Sequence, residues 1–137
     1  MNETQQRFTR TVLWAAVAYF GACGVSAITY PVSWLFVSGL PTTALSPELQ
    51  LAFGALGAYL LALSFGAGIA AFHPVKHPGL IFTLMLGNLF DFCVTLKAVV
   101  AQQLPILNGG LFLAIAMAWT VLIGITYLYV TRSRPTP

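Results

Sequence analysis

Residues 80–103 read LIFTLMLGNLFDFCVTLKAVVAQQ, and this stretch decides the fold. It supplies the roughly 20 mostly apolar residues that a helix needs to cross a bilayer. It also carries one acidic residue, Asp91, close to its midpoint. A carboxylate at mid-membrane depth is costly and marks a functional candidate by default. Three other runs of the same kind give spans over residues 11–34, 47–72 and 110–130. In lipid only helices and closed barrels satisfy their own backbone groups. These runs are too long and too continuously apolar for barrel strands, which are shorter and alternate. The expected fold is an all-α integral membrane protein, an up-down four-helix transmembrane bundle that forms a single domain over residues 1–137.

Composition points the same way. Of 137 residues, 58% are hydrophobic and 7% are charged, against about 25% charged in soluble domains. The net charge of +3 is small, and its placement carries the information. Arg7, Arg10, Lys76, Arg132 and Arg134 all lie at span ends or between spans. They do not cluster on one polar face, so a nucleic-acid surface is excluded. All five fall on one side of an even-numbered bundle. The positive-inside rule then predicts a cell-membrane protein with both termini cytoplasmic. That bias also opposes a dual-topology antiparallel dimer. Only Lys97 lies toward the other side, inside span three.

Boundary signals divide the spans. Ser46-Pro47-Glu48 combines a cap, a first-turn proline and an acid at the positive end of a helix dipole. His73-Pro74-Val75-Lys76-His77-Pro78-Gly79 breaks the chain between spans two and three. Pro105 and Asn108-Gly109-Gly110 are expected to turn it between spans three and four. Pro31 should end or kink span one, leaving residues 32–40 as a short interfacial piece with Trp34 at headgroup level. Residues 7–27 resemble a secretory leader in having a basic start, an apolar run and Val25-Ser26-Ala27. The apolar run continues to Val37, which suits a retained anchor better.

On a helical projection Asn88, Asp91 and Thr95 share one face of span three. Gly87, Ala98 and Gln102 extend it and Thr83 flanks it, while Leu86, Leu89, Phe90, Phe92 and Leu96 lie opposite. The polar face should turn to the bundle interior, because uncompensated polar groups in hydrocarbon cost several kcal/mol. Lys97 is a poor partner for Asp91, being about 120° away around the helix and about 9 Å along it. Without a cation beside it, a buried Asp91 is expected to be neutral. It would then either tie span three to Tyr19, Ser26, Tyr59, Ser64 or Thr120, or hold a proton or the polar head of a ligand.

Span two carries small residues four apart, Gly54, Ala58, Ala62, Gly66 and Ala70, with Gly57 and Gly68 beside them. This spacing lets helices approach closely. The first expectation is packing on another span of the same chain, and the second is a dimerisation face.

His73 and His77 are spaced as on one helical face, but Pro74 and Pro78 spoil that helix and no third ligand is near. No metal, haem or other cofactor is implied. They read as part of a solvated turn near lipid headgroups. Cys23 and Cys93 lie in different spans, away from the paired-thiol arrangement of exchange chemistry, and read as small buried side chains. Trp14, Trp34, Tyr127 and Tyr129 read as interfacial anchors. Trp119 lies deeper, with an indole N–H that needs an acceptor. No phosphate loop, nucleophile elbow or paired catalytic carboxylates occur.

Two functional expectations follow. The first is a non-catalytic protein, either an accessory subunit of a membrane complex or a binder of a small apolar ligand. Its partners would be the bilayer, a membrane protein or a second copy. The alternative is a proton-coupled carrier or proton relay using Asp91, which the absence of matching halves disfavours.

Overall fold

The computed structural model describes residues 1–133; Arg134, one of the five basic residues assigned to span ends, lies outside them. It contains four long helices, α1 (Glu3–Thr29), α3 (Pro47–Phe72), α4 (Pro78–Val100) and α5 (Ile106–Arg132), with a short α2 (Pro31–Val37) and a 3-10 turn at Thr42–Ala44. The four long helices are all long and apolar enough to cross a membrane. There is no strand among the described residues, and the fold is the all-α membrane bundle that the sequence predicts.

The helix ends differ from the predicted spans for local reasons. α1 starts at Glu3, eight residues before residue 11, because Asn2 and Gln5 form a reciprocal capping box. The Gln5 N–H donates to Asn2 Oδ1 at 2.8 Å and the Asn2 N–H donates to Gln5 Oε1 at 3.1 Å. Arg7 pairs with Glu3 one turn earlier at 2.6 Å. α1 ends at Thr29, and Pro31 opens α2 at a position where a missing N–H costs nothing. Pro47 and Pro78 open α3 and α4 in the same way, with Ser46 capping α3 through the Leu49 N–H. α4 stops at Val100, and Gln102, at φ 57°, turns the chain. Gln102 therefore leaves the polar face that it was expected to extend.

Asn108-Gly109-Gly110 is not the expected turn. α5 starts at Ile106, and these residues lie in its first turns. Asn108 Nδ2 donates to the Val37 carbonyl at 2.7 Å and fastens the end of α2 to α5.

Neighbouring helices run antiparallel. α1 meets α3 through Trp14–Phe72, Val17–Gly68, Gly21–Ser64 and Gly24–Leu61, in reversed order along the two chains. α4 meets α5 through Phe82–Tyr127 and Met85–Gly124. These two pairs make the most extensive contacts, whereas α3 with α4 and α1 with α5 touch far less. The bundle is thus two tight helix pairs docked against each other. Both described ends, near Glu3 and Arg132, and the 73–77 turn share one end of it. The exposed Arg7, Arg10, Lys76 and Arg132 gather there.

The small-residue face of α3 is used differently from expectation. Gly54 and Gly66 meet nothing, and Ala58 and Ala62 are exposed. The contact with α1 lies on the adjoining face, where Gly57 stands against Gly24. A Cβ on Gly57 would sit 2.7 Å from the Gly24 carbonyl oxygen. Of the four-apart set only Ala70 is in the core. Intramolecular packing of the Gly54, Ala58, Ala62 and Gly66 face is thereby corrected. A regular ladder gives a spacing, and side-chain bulk on the facing helix selects which face is used.

The apolar core fills the end of the bundle near the termini. Val12, Leu13, Ala16, Leu63, Ala67, Ala70, Ala71, Ile81, Leu84, Ile123 and Val130 are buried there together. Phe8 and Tyr129 stack edge to face, with ring centroids 5.9 Å apart. Toward the α2 end the four helices diverge around a cavity.

Candidate functional site

Asp91 lines that cavity. α4 brings Asn88 and Asp91 to its wall, and α1 brings Tyr19, Phe20 and Cys23. α3 contributes Phe53, Leu56 and Leu60, while α5 contributes Phe112, Ile115, Ala116 and Trp119. Trp34 of α2 and Ser38, just after that helix, close it, with Leu104 beside them. The volume is about 220 Å³. That is just below the range of about 300–1,000 Å³ usual for ligand sites, so it suits a compact molecule.

Among the described residues none donates a hydrogen bond to the carboxyl of Asp91. Three of the five groups considered as its partners are committed elsewhere. Ser64 Oγ donates to the Val17 carbonyl at 2.9 Å, and Thr120 Oγ1 donates to the Ala116 carbonyl at 2.8 Å. Ser26 Oγ donates to the Cys23 carbonyl and accepts from Trp34 Nε1 at 3.1 Å. Tyr19 and Tyr59 are the two that come within electrostatic range of Asp91. Asp91 itself is exposed, which corrects the expectation of a buried carboxyl: it stands on the open side of the cavity wall, while Asn88 one turn earlier is the buried member of the pair. Lys97 does not reach the cavity wall, as helical geometry predicts.

Asn88 is 4% exposed and donates its Nδ2 to the Leu84 carbonyl at 2.8 Å. Its amide oxygen has no donor among the described residues. Gly87, next to it, leaves room for the Tyr59 hydroxyl, which would lie 2.5 Å from a Cβ there. Thr95 shares the helix face but is half-buried outside the cavity wall. Thr83 is exposed and donates to the Gly79 carbonyl. The polar face is therefore split: Asn88 and Asp91 line the cavity, and the other members do not.

The aromatic walls are the part that sequence reasoning missed. Trp34 points inward rather than toward headgroups, held by its bond to Ser26. Trp119 lies against Tyr19 and Phe20, with centroids 5.2 and 5.6 Å away. Its indole N–H has no acceptor among the described residues. Tyr127 and Tyr129, read as anchors, pack on Phe82 and Phe8. Aromatic residues in four different elements carry no sequence signal of a shared site, because helix rotation decides which of them meet. Cys23 was read as a small buried side chain; it is half-buried, beside the Tyr19 hydroxyl on the cavity wall. Cys93 is exposed on the outer surface.

No group of three or more His, Cys, Asp or Glu side chains comes together among the described residues. His73 and His77 lie in the turn at the far end from the cavity. Compared with protein-family models, curated proteins and solved structures, the chain matches none.

Proposed function

We propose that this small integral membrane protein is a non-catalytic binder of a small, largely apolar ligand, taken up in the cavity at Asp91. The observation that carries the reading is a carboxyl lining a compact cavity with no hydrogen bond from another helix. A polar group kept to tie helices together would carry a hydrogen bond from one of them. The remaining polar groups of the wall, Asn88, Cys23, Ser38, the Tyr19 hydroxyl and the Trp34 and Trp119 indoles, are set among apolar and aromatic neighbours. That is the usual make-up of a small-molecule site.

The same reading puts the protein in the cell membrane with both termini in the cytoplasm. The support is the cluster of Arg7, Arg10, Lys76 and Arg132 at one end of the bundle. On this orientation the packed core faces the cytoplasm and the cavity lies in the outer half.

The test is co-purification. Extracts of the full chain isolated in mild detergent are compared by mass spectrometry with those of Cys23→Phe, which fills the cavity. A small molecule enriched with the unmodified chain and lost from a folded Cys23→Phe variant is the expected result. A stable membrane-protein partner in place of any small molecule would assign the chain to the accessory-subunit class instead.

A further inference from the structure

We propose that the cavity selects a compact organic cation, a protonated or quaternary amine with an apolar body. This inference rests on the ligand-binding reading above and narrows it to a charge class.

Three features of the wall converge on it. The first is charge: among the described residues Asp91 is the one acidic residue on the wall, and no Lys, Arg or His lines the cavity. An acid among apolar and aromatic walls attracts a cation more strongly than it would in water, and a bound cation in turn favours the charged form of that acid. The second is the aromatic enclosure. Tyr19, Phe20, Trp34, Phe53, Phe112 and Trp119 surround the same space from four elements. Ring faces carry negative quadrupole potential, and tryptophan is the best of the cation-binding rings. Such walls hold an ammonium group while keeping water away from it. The third is the acceptor set. The Asn88 amide oxygen lacks a donor, so the site offers oxygen acceptors to an N–H group and no positive group to repel it.

An anion would meet Asp91 and the ring faces at once, and both would repel it. A neutral hydrocarbon would fill the volume but leave Asp91 and Asn88 without partners. A hydrated metal ion would find a single carboxylate and no cluster of ligands. A compact organic cation satisfies the carboxylate, the rings and the apolar walls together. Lys97, the nearest basic residue along α4, stays off the wall and leaves the carboxylate free for it.

The experiment compares two probes of matched shape on the full chain in lipid nanodiscs: benzyltrimethylammonium and its neutral carbon isostere, neopentylbenzene. Trp34 and Trp119 on the wall report binding through tryptophan fluorescence. The expected result is saturable binding of the cation, with the isostere weaker by roughly tenfold or more, a gap of about 1.4 kcal/mol. Asp91→Asn removes the charge with little change of shape and should abolish that preference. Trp119→Leu should weaken the cation more than the isostere. Equal or tighter binding of the isostere to the unmodified chain overturns the charge selection and leaves the ligand-binding reading standing. An unaltered preference in Asp91→Asn overturns it as well. Saturable binding of neither probe overturns both.

Discussion

At the scale of single residues, Asp91 and the Gly24–Gly57 contact show what a sequence does and does not carry. A lone acid in an apolar run is visible in any reading, and so is its helical face with Asn88. Its surroundings are not, because the rotation of the other helices decides that Tyr19 and Tyr59 come near while Ser26, Ser64 and Thr120 bond to backbone carbonyls. The small residues of α3 mislead for a related reason. A ladder at Gly54, Ala58, Ala62 and Gly66 is more regular than the face that packs. Gly57 is the residue with no room, its Cβ position lying 2.7 Å from a backbone oxygen that cannot swing aside. Gly57→Ala should cost about 1–3 kcal/mol of stability through overpacking. Gly54→Ala and Gly66→Ala, which point into open space, should stay within about 0.5 kcal/mol of the unmodified protein. Unfolding in detergent measures all three, and an equal loss in Gly54→Ala would restore the ladder as the packing face.

At the scale of elements, most helix limits follow from caps that are legible along the chain. Pro31, Pro47 and Pro78 each open a helix, and Ser46 caps one. The Asn2–Gln5 box was equally legible, and hydropathy alone hid it because the first turns of α1 are polar. The 105–110 stretch misleads for a different reason. Asn-Gly-Gly favours a turn locally, yet tertiary contacts hold it helical. Asn108 bonds to Val37, and Gly109 fits against the Val99 side chain. This bond is one of the few holds on α2, which supplies Trp34 to the cavity. Asn108→Ala should remove about 1 kcal/mol. Hydrogen exchange should show the loss as faster amide exchange across residues 31–40, with α3 and α4 unchanged. Uniform acceleration over the whole chain would mean that Asn108 supports α5 itself rather than the α2 roof.

At the scale of the whole molecule, the contacts divide the chain at the 73–77 turn. α1 and α3 form one tight pair and α4 and α5 the other, while the turn joins two helices that touch little. In lipid, association comes from close packing rather than from the exclusion of water, so each pair is a stable unit and the interface between them is the weaker joint. The cavity sits at that joint. Residues 1–74 and 75–137, expressed together as separate chains, should therefore reassemble in the membrane. Co-purification of the two pieces tests this, with cation binding as the second readout. Failure of the pieces to associate would show that the turn does more than connect.

The division also orders the events of synthesis. A chain emerging from its N-terminus completes the α1–α3 pair before α5 exists, and domains made in this way fold in that sequence. Until Ile106–Arg132 arrives, the space around Asp91 lacks the wall that contains Phe112 and Trp119. A nascent chain halted there presents an unpaired acid to hydrocarbon, a mark by which unfinished molecules differ from finished ones. The last helix made is thus the one that completes the wall beside the acid.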